Sequence, residues 1–379
     1  SCRSHTFWTR IERLIIPYIL WSTFYGIITF KLKGVFFPAD ESLFSIILLI
    51  YSCAAASQPI EEELIYGNTW RAFPFDKKAY HYTPKTLEEN WPYLQRQSNY
   101  PFPDAHHIAK LLSDNPRLKN AIPHYKSVNK VADTLQEAWI AFFKGHFQKA
   151  TQLGYSLGPI GHCVAFYAQS TYASRLETNK QKRHALWEDI LQRHEKSKAL
   201  TKYDVTTQFF AFFSMARLSE ELSMPTVVAR DYLNIMIKAL AEMNAQDPNN
   251  IFVLAALGSK DAGVVRKLGK LMARLAFDAN HETIERYYLK AIKQNKQLPT
   301  VHIEYAQALL YMYGKKKLDE AIQHMRTASE VPPLYALESM NTFKAKKLLS
   351  ELMVIKENNG YGLRRYVKRN NASEKNYYF

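Results

Sequence analysis

From Ser127 to Ile355 the chain repeats apolar residues at three- and four-residue intervals, broken by short turns rich in glycine, proline or asparagine. A succession of amphipathic helices joined by tight turns has few ways to bury its apolar faces. Each helix must lie antiparallel on its neighbour, and each pair on the next pair. The clearest unit is Leu135–Pro159, LQEAWIAFFKGHFQKATQLGYSLGP. Ala138 and Phe142 mark a first helix, Gly145-His146-Phe147 the turn, Ala150 a second helix, and Pro159 the end. A small residue where backbones approach, an aromatic beside it and a glycine at the turn are what close antiparallel packing requires.

The same design recurs downstream. Asp247-Pro248-Asn249-Asn250 opens a helix that carries Gly258 as a packing glycine, and Thr283–Asn295 closes a pair through Ala291. Tyr305–Pro333 follows, with Ala328 one interval after Ala291, close to the roughly 34 residues of a helix–turn–helix unit. These residues resemble tetratricopeptide repeats. Leu135–Pro159 carries most of that family's pattern, and His302–Pro333 carries its alanines and proline, with Leu318 in place of the turn aromatic. Two degenerate pairs, His162–Leu200 and Val205–Met243, lie between them. The resemblance implies an all-α, right-handed superhelix whose concave side holds a partner.

One departure is informative. After Gly258 the stretch SKDAGVVRKLGKLMARLAFDANHE is inserted, and Val264–Phe277 has an amphipathic pattern of its own. Such an insertion before T-I-E-x-Y-x-L-K-A-I and H-I-E-Y-A resembles two divergent repeat families. One is the periplasmic component associated with tripartite ATP-independent (TRAP) transporters; the other is the regulator-of-microtubule-dynamics proteins. The first fits an exported chain better. It implies docking to a solute-binding protein and an internal ligand channel.

The N-terminus has a different composition. Leu14–Phe30 and Ser42–Ile60 are uncharged runs, each near the length that crosses an apolar layer roughly 30 Å thick. They predict a pair of transmembrane helices. Lys31 and Lys33, the apolar run and Ala54-Ala55-Ala56 equally fit a secretory signal, and Ile50–Cys53 a lipid-acceptor box. Phe7–Tyr25, FWTRIERLIIPYILWSTFY, resembles an early helix of the integral-membrane acyltransferases that modify surface polysaccharides. The likeness ends by about residue 50 and lacks that family's catalytic histidine region. A membrane-associated acyltransferase with a regulatory repeat domain is therefore the alternative reading.

The expected organisation is a hydrophobic segment at 1–57 and a proline- and aromatic-rich strap at 58–126, with one short helix opening at Asp104. The repeat domain occupies 127–358, and a basic, disordered tail 359–379. The formal charge of +15 is spread along the chain, densest at Lys315–Lys317, Lys344–Lys347 and Arg364–Arg369. Charge alone points to acidic surfaces, anionic lipid or nucleic acid; nothing else in the sequence favours nucleic acid.

No catalytic pattern stands up. Gly154-Tyr155-Ser156-Leu157-Gly158 matches G-x-S-x-G, but that serine needs a strand before it and here a helix precedes. Cys163 beside His162 is a sequence neighbour, not a spatial pair. Gly258–Gly263 lacks phosphate-loop spacing. His106 and His107, being adjacent, point to different helix faces, and the three cysteines have no metal or disulfide spacing. No enzyme activity, cofactor or metal is expected. The expected function is a non-enzymatic scaffold or adaptor, membrane-associated or exported, with the bacterial periplasm favoured. Its partner is a protein, such as a solute-binding protein, or a small-molecule ligand, with membrane contact through the N-terminus. The expected groove lining is the first-helix aromatics Trp139, Phe143, Tyr167, Tyr172, Phe209, Phe213, Tyr305 and Tyr313.

Overall fold

Side-chain caps fix where the helices begin. Ser127 Oγ accepts from Lys130 N at 3.2 Å, Asn179 Oδ1 from Lys182 N at 3.0 Å, and Asp204 Oδ1 from Thr206 N and Thr207 N at 2.9 and 3.0 Å. Each satisfies a helix-end donor and contributes about 1 kcal/mol. The computed structural model describes residues 65, 67, 69–76, 79–268 and 281–370. The apolar N-terminal runs, with their transmembrane, signal and lipidation readings, lie outside these residues. So do most of the amphipathic stretch at 264–277 and the chain end from 371.

The described residues contain helices and no strand. In chain order these are α1 (Pro84–Leu94), α2 (Ala105–Asp114), α3 (Pro116–Asn120), α4 (Val128–Phe143), α5 (Phe147–Tyr155), α6 (His162–Arg175), α7 (Lys180–Thr201) and α8 (Val205–Glu221). There follow α9 (Met224–Ala229), α10 (Tyr232–Gln246), α11 (Ile251–Leu268), α12 (His281–Gln294), α13 (Pro299–Tyr313), α14 (Leu318–Glu330), α15 (Ala336–Glu357) and α16 (Leu363–Asn370). None of the described helices is long and apolar enough to cross a membrane.

The helices pair as α4/α5, α6/α7, α8/α10, α11/α12 and α13/α14, and each second helix also packs on the first helix of the next pair. The first helices touch in the order α4, α6, α8, α11, α13, α15, and α15 returns to α4, so the series closes on itself. Helix α11 serves two cores. Val253 and Leu257, one turn apart, join the core of the N-terminal pairs; Ile251, Leu254 and Ala255 join the core that runs to α16.

Glycine is required at two of the helix-pair contacts. Gly145 turns α4 into α5 at φ +82°, where a β-carbon would meet the Phe73 ring at 2.7 Å. At Gly258 a β-carbon would strike the ring of Tyr288 at 2.7 Å, which is why the α11/α12 pair needs glycine there.

The strap and the tail differ from expectation. Asp104 caps α2 as its sequence suggests, accepting from His107 N at 2.6 Å, but α1 and α3 flank that helix. Proline at the first turn of α1 and α3 replaces a donor that has no partner there, so these prolines start helices and do not prevent them. Beyond 359, α16 buries Leu363 and Tyr366 against the second core, so that part of the tail is ordered by packing.

The strap ties both ends of the helix series together. Trp70 stacks on Tyr172 of α6 at 4.2 Å, and Trp91 meets Trp139 of α4 edge-on at 5.4 Å. At the other end, Tyr82 OH donates to Leu334 O at 2.7 Å, Tyr80 bonds Ser339, and Arg96 pairs with the buried carboxylate of Glu338. Glu338 also accepts from Leu334 N at 2.9 Å. Removing one member of a buried pair leaves an uncompensated charge. We predict that Arg96→Ala lowers the unfolding free energy in urea titrations by about 3 kcal/mol or more, whereas the double variant Arg96→Met/Glu338→Leu recovers most of the loss.

Candidate binding face on the first helices

The one carboxylate of α13 is Glu304, set between Ile303 and Tyr305 in a helix that has no lysine or arginine. Its Oε2 accepts from Ser259 Oγ of α11 at 3.1 Å, and Ser259 Oγ lies 2.7 Å from the hydroxyl of Tyr288. Burial lifts the Glu304 carboxyl above its ordinary range. The Ser259 hydroxyl and the positive charges of Lys344, Arg217 and Arg175 act in the opposite direction. Those cations belong to α15, α8 and α6. Five first helices thus each supply one polar or charged side chain to a common neighbourhood, and all five are partly buried. Arg217 also pairs with Glu220 at 2.8 Å and lies 5.6 Å from the Phe213 ring. Three cations acting on one carboxylate give this neighbourhood a positive field of the kind that attracts anionic groups.

The expected aromatic lining is largely corrected. Trp139, Phe143, Tyr167, Tyr172, Phe209 and Tyr305 are buried and do not line an open groove. They pack against rings of the same helix, of neighbouring helices or, for Tyr172, of the strap. Trp139 stacks on Phe143 at 5.6 Å, Tyr167 on Phe210 at 4.0 Å, Phe209 on Phe252 at 5.0 Å and Tyr305 on Tyr288 at 5.2 Å. A large ring gains more from burial between helices than from exposure, and the sequence spacing does not separate the two. Phe213 is half-buried beside Arg217. Tyr313 is half-buried too, but it is bonded to Glu285 of α12 and packs on His281 at 4.7 Å. Sequence reasoning missed Arg175, Arg217, Ser259, Glu304 and Lys344. The available signal was a charged side chain inside an apolar first helix, strongest at Glu304.

The residues weighed for catalysis lie apart. Ser156 caps α5, is exposed and donates to Leu153 O at 2.7 Å. His162 Nδ1 faces Ser197 Oγ of α7 at 3.0 Å, and burial, with Arg193 and His194 nearby, drives its pKa to about 3. Burial pushes the Cys163 thiol up, and its hydrogen-bond partners are Thr207 and Tyr100. Among the described residues no group of three or more His, Cys, Asp or Glu is arranged to hold a metal.

A second histidine site joins α13 to α14. His302 Nε2 lies 3.0 Å from Lys296 O, so that nitrogen carries the proton, and Nδ1 accepts from His324 Nδ1 at 2.9 Å. Burial, with His302 beside it, holds the His324 pKa at about 4 despite Glu320, and burial lowers His302 as well.

Comparison with known protein families, curated proteins and solved structures finds no match.

Because His162 and His324 titrate lower in the folded chain than in the unfolded one, the unfolded chain binds more protons. Stability is complete above the unfolded value of about 6.5 and is lost as pH falls towards 4. We predict that the urea midpoint falls steadily below about pH 6.5, at on the order of 1 kcal/mol per pH unit for each histidine. His324→Gln should flatten that slope by about one histidine's share; an unchanged slope would contradict the assignment.

Proposed function

We propose that this chain is a non-enzymatic binding scaffold, its helix pairs arranged as a right-handed tetratricopeptide-like superhelix. The occupant of its inner face is a protein segment or a ligand bearing an acidic group. The observation that carries this reading is the convergence of Arg175, Arg217, Lys344, Glu304 and Ser259 from five first helices. Stability does not require charges there, since partly buried ionic groups cost desolvation that apolar side chains avoid. A recognition role accounts for keeping them.

The alternation of first and second helices supports the repeat reading, because each second helix bridges two first helices as in stacked helix–turn–helix units. The resemblance to the TRAP-associated periplasmic component makes a solute-binding protein the first partner to test. On this reading the chain acts as an adaptor at a membrane, either exported or anchored through its N-terminal segment.

Two measurements on the full chain test the proposal: native mass spectrometry of the purified protein, and cross-linking in native extract. The expected outcome is one dominant bound species whose retention falls at least roughly tenfold in Arg175→Met and in Lys344→Met, with circular dichroism unchanged. A species retained equally by wild type and both variants would place binding elsewhere and remove the inner face from consideration.

A further inference from the structure

Two basic clusters far apart in sequence come together where α16 packs on the turn after α13. The 3-10 turn Gly314–Lys317 carries Lys315 and Lys316, both exposed, and α16 packs on this turn and on α13. The loop between α15 and α16 lies along the Lys315 stem, which a β-carbon at Gly360 would meet at 3.0 Å. Helix α16 turns Leu363 and Tyr366 into the core and leaves Arg364, Arg365, Lys368 and Arg369 exposed. Three carboxylates in this region are engaged. Glu351 pairs with Arg369, Asp319 with Lys356 at 2.7 Å, and Glu320 with Lys317 at 2.5 Å. Lys315, Lys316, Arg364, Arg365 and Lys368 have no carboxylate partner among the described residues, so positive charge is in excess where the turn and α16 meet. Glu357 and Asp319, the latter paired with Lys356, are exposed acids in the same region.

Beside these charges stand two exposed apolar side chains, Tyr361, 82% exposed in the α15–α16 loop, and Val354, 55% exposed on α15. We propose that this face docks peripherally on a lipid bilayer surface rich in anionic headgroups. Charge complementarity supplies the attraction, each lysine or arginine near an anionic surface adding its own increment. Tyr361 supplies an amphipathic ring at the depth where headgroups meet acyl chains. The apolar side of α16 is already committed to the protein core, so contact is made by the cationic side, without helix insertion. A single exposed ring among the cations does not provide the stacked series that single-stranded nucleic acid needs.

The test uses the full chain in co-sedimentation with two kinds of vesicle: phosphatidylcholine alone, and phosphatidylcholine with phosphatidylserine in roughly a 2:1 ratio. The readout is the ratio of the two affinities, in which apolar insertion by any other part of the chain cancels. The wild type is expected to prefer the phosphatidylserine vesicles, and high salt is expected to remove the preference. Arg364→Glu/Arg365→Glu/Lys368→Glu should lose at least roughly 100-fold of that preference. Lys315→Glu/Lys316→Glu, on a separate element, should lose at least roughly tenfold, which keeps the proposal testable if the first variant fails to fold. Equal affinity of the wild type for both vesicles, or an unchanged preference in a folded variant, would overturn the proposal. Salt-sensitive binding of duplex DNA or RNA that both variants abolish, without vesicle preference, would overturn it in favour of nucleic acid.

Discussion

The return of α15 to α4 is the contact on which the arrangement of helices depends. Tyr335, at the head of α15, packs edge-on to Phe143 at 5.1 Å and accepts from Gln97 Nε2 at 3.1 Å. Glu338, one turn further, is held by Arg96 and by the Leu334 amide. In an open row of helix pairs, terminal pairs leave an apolar flank exposed and need a polar cap. Here the last first-helix covers the flank of the first, and the strap seals the joint with Tyr80, Tyr82 and Arg96. The joint is costly in polar groups, because a carboxylate and a guanidinium are withdrawn from water together. That cost is offset because the two groups pair with each other and Glu338 also accepts from the Leu334 amide.

The inner face follows from the same closure. First helices meet through aromatic rings, and the seam from Trp139 to Phe252 fixes their spacing. Side chains one turn away from that seam, such as Arg175 after Tyr172 and Arg217 after Phe213, are carried towards Glu304 and Ser259. The rings set the frame and the charges are displayed on it, a division of labour between buried and partly buried positions of the same helices.

Much of the helical layout was legible in the sequence. Gly145 at the first turn, Asp104 before a helix start and the packing role of Gly258 all reflect local rules that operate within one or two turns. The additional helices of the strap are masked by its prolines, which at a first helical turn remove only a donor that has no partner. Helix α16 was hidden by its charge: four cations outweigh Leu363 and Tyr366 in composition, but not in packing. The binding face was the least legible part. An aromatic at helical spacing reads the same whether it lines a groove or fills a seam. Which charges meet depends on contacts between helices whose residues lie 40 to 129 positions from Glu304, and no local pattern encodes them.

The strap has a consequence for how the chain is made. Its anchoring bonds span very long sequence separations: 259 residues for Tyr80 to Ser339, 252 for Tyr82 to Leu334 and 242 for Arg96 to Glu338. A ribosome delivers the strap and α4 long before their partners in α15. Phe142, Phe143 and the Arg96 cation must therefore wait without their α15 partners Tyr335 and Glu338 while the intervening pairs assemble. Loop-closure entropy falls due at the last step, when local contacts are already formed. Nascent chains of this protein would then be most vulnerable to aggregation late in synthesis, in a nearly complete but still open form.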